Sequence, residues 1–225
     1  MTRKLWAVIG AEFSLFAGLL FGAAGTADWA AAWVFLFILF GPLVAMASAL
    51  ARSNPALLQE RMKPLFQQGQ PLWDKIILAG LILLCVLWLI LMALDAGRFH
   101  WSSMPLWLQC LGGAGILLSM WISACAFRAN SFLANVVRIQ TERGHKVVTD
   151  GPYGVIRHPL YASTLLLFPS AALLLGSWLG VAAASLIGCV IIVRTVLEDR
   201  ELHRKLEGYA AYARLVPYRL LPKIW

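Results

Sequence analysis

The chain has 225 residues, 60% of them hydrophobic and 13% charged, with a mean hydropathy of +0.75. Soluble domains carry about 45–50% apolar and about 25% charged residues, so the composition excludes an ordinary water-soluble protein and predicts an all-α, multi-pass membrane protein. The formal charge of +8 fits a nucleic-acid partner by its size but not by its placement: the basic residues flank apolar runs, where they set orientation and contact membrane lipids.

Six apolar runs predict spans at 5–24, 29–51, 75–94, 106–127, 159–176 and 178–197. The first follows Thr2-Arg3-Lys4 and is about 20 residues long, enough to be retained in the bilayer rather than cleaved as a leader. With a cytoplasmic N-terminus, every Lys and Arg except Arg98 falls at the inner face. That asymmetry predicts that the N-terminus, the 128–158 loop and the C-terminus lie in the cytoplasm. Glu12 lies inside the first span, about two turns from its charged end, and is left outside the site.

Spans one and two form a hairpin around Gly25-Thr26-Ala27-Asp28, and Pro42 is expected to kink the second. In the interfacial loop 52–74, Ser53-Asn54-Pro55 reads as a helix start, with Asn as cap and Pro at the first helical position. Leu57, Leu58, Met62 and Leu65, mixed with Arg61 and Lys63, predict a short helix in the interface, ended by Gly69 and Pro71. Gly18-x-x-x-Gly22 and Gly112-Gly113-x-Gly115 are expected to let helices approach closely within the bundle. Trp29, Trp33, Trp73, Trp101, Trp107 and Trp178 sit where an aromatic belt belongs. The cysteines lack a CxxC pairing and the histidines lack ligand spacing, so no metal is expected.

Residues 1–127 thus form an N-terminal set of helices, and 128–225 a second region of the same structural unit. The last two spans occupy only 159–197 and turn at Gly176-Ser177-Trp178-Leu179-Gly180. Such a tight hairpin brings the 128–158 loop and the tail from Arg194 onward to one membrane face.

The stretch 144–161 is the densest in chemistry. Gly and Pro let backbone amides approach a ligand, and Pro159 opens a helix whose N-terminus, at His158, suits a carboxylate. Tyr153 and Tyr161 offer flat faces for a purine or a sulfonium. Arg194 and Glu198 are four apart, hence on one helix face. Each feature also has an ordinary explanation: a Gly-Pro-Tyr turn, a head-group contact, a helix-stabilising ion pair.

Together, Gly-Pro-Tyr-x-x-x-Arg-His-Pro-x-Tyr at 151–161, Glu-Asp-x-x-Leu at 198–202 and Tyr-x-x-Tyr-x-x-x-Val-Pro at 209–217 resemble the isoprenylcysteine carboxyl methyltransferase family, which is related to the membrane phospholipid N-methyltransferases. Asn54-Pro-x-Leu-Leu-x-Glu-Arg61 and Val137-Arg-Ile-Gln140 resemble its bacterial members. The resemblance implies an integral-membrane enzyme that uses S-adenosylmethionine to methylate a lipophilic small-molecule or prenylated acceptor. It implies cofactor binding by Gln140, His145, Lys146, Val147, Val148, Tyr153, His158, Pro159, Leu160, Tyr161 and Glu198, and substrate contact by Arg194. Two departures stand out: Glu198-Asp199 replaces a frequent Glu pair, and the spacing from Gln140 to His145 is shorter by two than in eukaryotic members. Phospholipid N- or thiol S-methylation, an NADPH-dependent membrane reductase and a non-catalytic membrane protein are the competing readings.

Overall fold

The computed structural model of the chain describes residues 2–225, and among these the secondary structure is entirely helical. Helix α1 (Thr2–Ala24) turns through Gly25, at φ +73°, into α2 (Ala30–Ser53), which continues as one helix through Pro42. Phe13 and Phe16 of α1 meet Phe40 of α2 edge to face, with centroids 5.3 and 5.6 Å apart.

Helix α3 (Pro55–Arg61) starts as its sequence dictates: the Asn54 side chain accepts from Leu57 N at 3.0 Å, and Pro55 fills the first position. It ends sooner than Gly69 and Pro71 suggest. Pro64 has no N–H to give and disfavours helical backbone at Lys63, so the chain leaves the helix at Met62. Leu57 and Leu58 turn into the bundle core.

Helix α4 (Leu72–Met92) runs into a π-helical segment, Ala93–Arg98. There the buried Asp95 accepts from Ser102 Oγ at 2.7 Å and Ser177 Oγ at 2.5 Å, tying the far end of α4 to the turn between the last two long helices.

Helix α5 (Leu106–Ala129) packs antiparallel against α6 (Pro159–Leu175). The pairing is backbone-close because Gly112 and Gly115 lack side chains: a Cβ on Gly112 would lie 2.5 Å from both Leu174 N and Ser170 O. Farther along, Ser119 Oγ donates to Ser163 O at 2.7 Å, and Ser123 and Ser163 hydroxyls lie 2.8 Å apart. The expectation for Gly18 and Gly22 does not hold, since neither has anything within 4 Å of a would-be Cβ. Their face of α1 lies away from the helices that contact it.

Gly176, at φ +83°, reverses the chain into α7 (Trp178–Lys205), whose cap Ser177 accepts from Gly180 N at 2.8 Å. Gly208, at φ +81°, leads into α8 (Tyr209–Leu215). Helices α1, α2, α4 with its extension, α5 and α7 are long and apolar enough to cross a membrane. Helix α6, with 17 residues, is about 25 Å long, somewhat short of the roughly 30 Å hydrocarbon layer.

Candidate active site

The segment between α5 and α6 holds its shape through α3. Asn54 Nδ2 donates to Ser131 Oγ at 2.8 Å, and Asn135 Nδ2 donates to Arg61 O at 2.7 Å. The Glu60 carboxylate, 2% exposed, accepts from Arg138 Nε at 3.2 Å and Nη2 at 2.7 Å through one oxygen. These contacts explain what the Asn54–Arg61 motif does: it is a scaffold for the loop.

Gln140 is wholly buried. Its amide nitrogen donates to Phe132 O at 2.6 Å and its amide oxygen accepts from Arg143. Arg143 belongs to the short 3-10 turn Thr141–Arg143, which closes at Gly144 with φ +62°. His145 then folds back, its ring stacked on Phe132 at 4.6 Å and its Nδ1 accepting from Gln140 N at 3.3 Å. Burial, then the nearby cations of Arg143 and Arg138, lowers the His145 pKa to about 4, so the ring is neutral at pH 7.

The next turn, Gly151–Gly154, presents Tyr153 inward. Its backbone oxygen accepts from Tyr212 Oη at 2.7 Å, whereas its own buried hydroxyl makes no well-formed hydrogen bond among the described residues and has only the Asn130 side chain near it. Burial first, and the negative charge of Glu198 in addition, push this phenol well above its ordinary pKa.

Loop and tail are clamped together. Arg157 N donates to Tyr218 O and His158 N to Arg219 O, both at 2.9 Å. Asp199 of α7 is the polar centre of the clamp. It accepts from Arg157 Nε at 2.9 Å, Tyr209 Oη at 2.9 Å and Arg219 Nε at 3.0 Å, and lies 3.3 Å from His158 Nε2. Arg157 Nη1 reaches Val216 O at 2.7 Å. The expected meeting of loop and tail on one face therefore occurs, through Asp199 rather than through Glu198.

The residue just before Asp199 on α7, Glu198, accepts a short hydrogen bond from the Tyr161 hydroxyl. Arg194 does not form the i,i+4 pair with Glu198 that their spacing offers. Its Nε donates to Asp74 Oδ1 at 2.9 Å and its Nη2 to Asn135 O at 3.0 Å, while the guanidinium carbon lies 5.6 Å from the Tyr161 ring centroid. Asp74 is fully buried in the first turn of α4 and also accepts from Gln70 Nε2 at 2.7 Å and Val137 N at 3.0 Å.

These elements enclose a cavity of about 430 Å³, within the roughly 300–1,000 Å³ range of small-molecule pockets. His145, Lys146, Val147, Val148, Tyr153, His158, Leu160, Tyr161, Arg194 and Glu198 all line it. Gln140 and Pro159 do not; the first braces the loop and the second starts α6. The cavity continues between helices to Leu78, Leu81 and Cys85 of α4 and to Phe168. Phe168 lies nine residues into α6, or about 14 Å along its axis. A polar loop-and-tail wall thus shares one space with an apolar interhelical wall.

Asp74, Arg157 and Asp199 were not among the expected site residues. An acid in the first turn of an apolar run was the available signal for Asp74, but its partner lies 120 residues away. No curated protein matches the chain. Residues 107–207 of this membrane-spanning chain match the family model described as phospholipid methyltransferase.

Proposed function

We propose that the chain transfers a methyl group from S-adenosylmethionine to a lipophilic acceptor drawn from the bilayer, in the manner of the isoprenylcysteine carboxyl methyltransferases. The observation that carries this reading is the single cavity with a polar loop-and-tail wall and an apolar wall between α4 and α6. The site fits the cofactor. The buried Tyr153 hydroxyl makes no well-formed hydrogen bond among the described residues, with only the Asn130 side chain near it, and so can turn to a ligand's polar group. Glu198 adds an acceptor beside the ring of Tyr161.

When bound, the cofactor supplies an electrophilic methyl group on a sulfonium. His145 to Val148, Tyr153, His158, Leu160, Tyr161 and Glu198 hold it, with Gln140 and Pro159 keeping their segments in place. Arg194 orients the acceptor: Nε and Nη2 are engaged by Asp74 and Asn135, and Nη1 makes no hydrogen bond among the described residues. A carboxylate acceptor needs no general base. The walls align the reactants and exclude water, which otherwise stabilises the separated charges more than the transition state. We place the loop and both termini on the cytoplasmic side, on the distribution of Lys and Arg; the resemblance of the Asn54–Arg61 and Val137–Gln140 motifs to bacterial members supports a bacterial inner membrane.

A second reading, methylation of a phospholipid amine, is favoured by the family description and by Asp74, which already neutralises Arg194. An amine must lose a proton, and His158, which lines the cavity, is then the base candidate, because Nδ1 of His145 already accepts from Gln140 N. Radiolabelled methyl transfer to prenylcysteine analogues, ethanolamine lipids and small thiols separates these acceptors. The carboxylate reading expects prenylcysteine turnover that falls in Arg194→Ala while S-adenosylhomocysteine still binds; loss of cofactor binding with acceptor use intact overturns the role of Arg194. Calorimetric titration with NADPH in place of S-adenosylhomocysteine tests the reductase alternative.

A further inference from the structure

Arg61, Arg138, Arg157 and Arg194 line the cavity. Three of them are neutralised by a carboxylate: Arg138 by Glu60 at 2.7 Å, Arg157 by Asp199 at 2.9 Å, and Arg194 by Asp74 at 2.9 Å. Arg61 has no ion pair with Asp or Glu among the described residues.

Its guanidinium is half-buried, stacked 4.4 Å from the centroid of Phe127, with Nη1 donating to Leu133 O at 3.3 Å. Nε and Nη2 make no hydrogen bond among the described residues. Glu12 of α1 interacts with it only from beyond ion-pair distance, and burial lowers its pKa to about 10, leaving it charged at pH 7. A cation held against a ring and apolar walls is unfavourable unless an anion joins it.

Arg61 is also linked to the proposed acceptor anchor. Asn135 donates from its side chain to Arg61 O and accepts through its backbone oxygen from Arg194 Nη2. One loop residue therefore spaces the paired and the unpaired arginine along the same cavity.

We propose that Arg61 binds an anionic oxygen group, a phosphate or a carboxylate, carried by the acceptor lipid apart from the atom that is methylated. The proposal rests on the methyltransfer reading and narrows its acceptor to an anionic amphiphile. The charged oxygens meet Arg61 through charge-assisted hydrogen bonds, the methylated group lies by Arg194, and the chain follows the apolar wall.

The test uses the full chain in nanodiscs of neutral lipid, titrated with dodecyl phosphate, dodecanoate, dodecyltrimethylammonium and inorganic phosphate alone. An anionic amphiphile should bind better than the cationic one, and Arg61→Gln should weaken it by about tenfold or more. Arg61→Lys, which keeps the charge, should lose less. If Arg61→Gln does not fold, Arg61→Met keeps the stem against Phe127 and removes the same charge. The better of dodecyl phosphate and dodecanoate identifies the oxygen group. The proposal is overturned if the neutral variants bind both anionic amphiphiles as the wild type does, if the cationic amphiphile binds equally well, or if inorganic phosphate binds as tightly as its dodecyl ester. S-adenosylhomocysteine affinity should be unchanged in Arg61→Gln. Absence of that affinity in the wild type counts against the methyltransfer reading, while the titrations still decide the anion site.

Discussion

Asp74 and Arg194 meet at 2.9 Å with almost no exposure, Asp74 fully buried and the Arg194 side chain 10% exposed. The pair joins the start of α4 to the end of α7, and through Val137 N and Asn135 O it also fixes the loop between them. Removing one member leaves the other charge buried, which typically costs about 3–5 kcal/mol. Asp74→Asn should therefore destabilise strongly. The double variant Asp74→Asn/Arg194→Gln should cost less than the sum of the single changes, because the second substitution removes the stranded charge. Unfolding curves of the four proteins in one detergent measure the coupling; simple additivity would show that the two residues stabilise independently.

Much of this arrangement was legible in the sequence where the relevant physics is local. Runs of apolar residues located the long helices, although α7 runs eight residues past its apolar span to Lys205; Asn54-Pro55 marked the start of α3, and Gly176 the turn into α7. The loop of 144–161 stood out because lipid contact does not require its residue types, and ten of the twelve expected site residues line the cavity. What stayed hidden depends on pairings across the fold. Asp199 read as a companion of Glu198, yet it collects Arg157, Tyr209 and Arg219 from other segments. Gln140 faces Phe132 and Arg143 because the loop doubles back, which its position in a motif does not reveal. Arg194 and Glu198 share a helix face, but Arg194 turns to a buried acid and Glu198 to a phenol.

The Tyr153 hydroxyl separates binding from stability. It is buried and makes no well-formed hydrogen bond among the described residues, with only the Asn130 side chain near it. Tyr153→Phe keeps the ring and removes only this weak polar contact, so the ligand-free protein should change in stability by less than about 1 kcal/mol. S-adenosylhomocysteine should bind less tightly, by about tenfold if the hydroxyl makes one hydrogen bond to it. Calorimetry paired with thermal unfolding checks both halves. Unchanged affinity would remove Tyr153 from the cofactor-binding set.

Adjacent glycines on α5 offer a controlled test of the α5–α6 contact. A Cβ at Gly112 would meet backbone atoms of Leu174 and Ser170 at 2.5 Å, whereas at Gly113 its nearest neighbour is Ile38 Cδ1 at 3.6 Å, an ordinary contact. Gly112→Ala must push the helices apart and should cost about 1–3 kcal/mol. Gly113→Ala should be neutral or slightly stabilising, since Ala is the better helix former. Thermal unfolding of the two variants side by side is sufficient, and equal behaviour would mean that α5 and α6 are not in backbone contact.

His145 ties the shape of the loop to pH. Gln140 N donates to its Nδ1, so the neutral ring must carry its proton on Nε2, and protonation of Nδ1 abolishes that bond. The folded pKa is about 4 against an ordinary 6.5, depressed by burial and then by Arg143 and Arg138. Below pH 6.5 the unfolded chain takes up a proton that the folded loop refuses, so the stability contributed by this residue is complete above pH 6.5 and declines as the pH falls toward 4. His145→Asn supplies an acceptor near the Nδ1 position without a titrating ring and should remove this component. Thermal unfolding from pH 8 to pH 4 should bring the wild-type and His145→Asn curves together below pH 6.5 as the wild type loses its advantage. Parallel curves would mean that His145 titrates alike in the folded and unfolded chain, and that the loop does not exclude water from the ring.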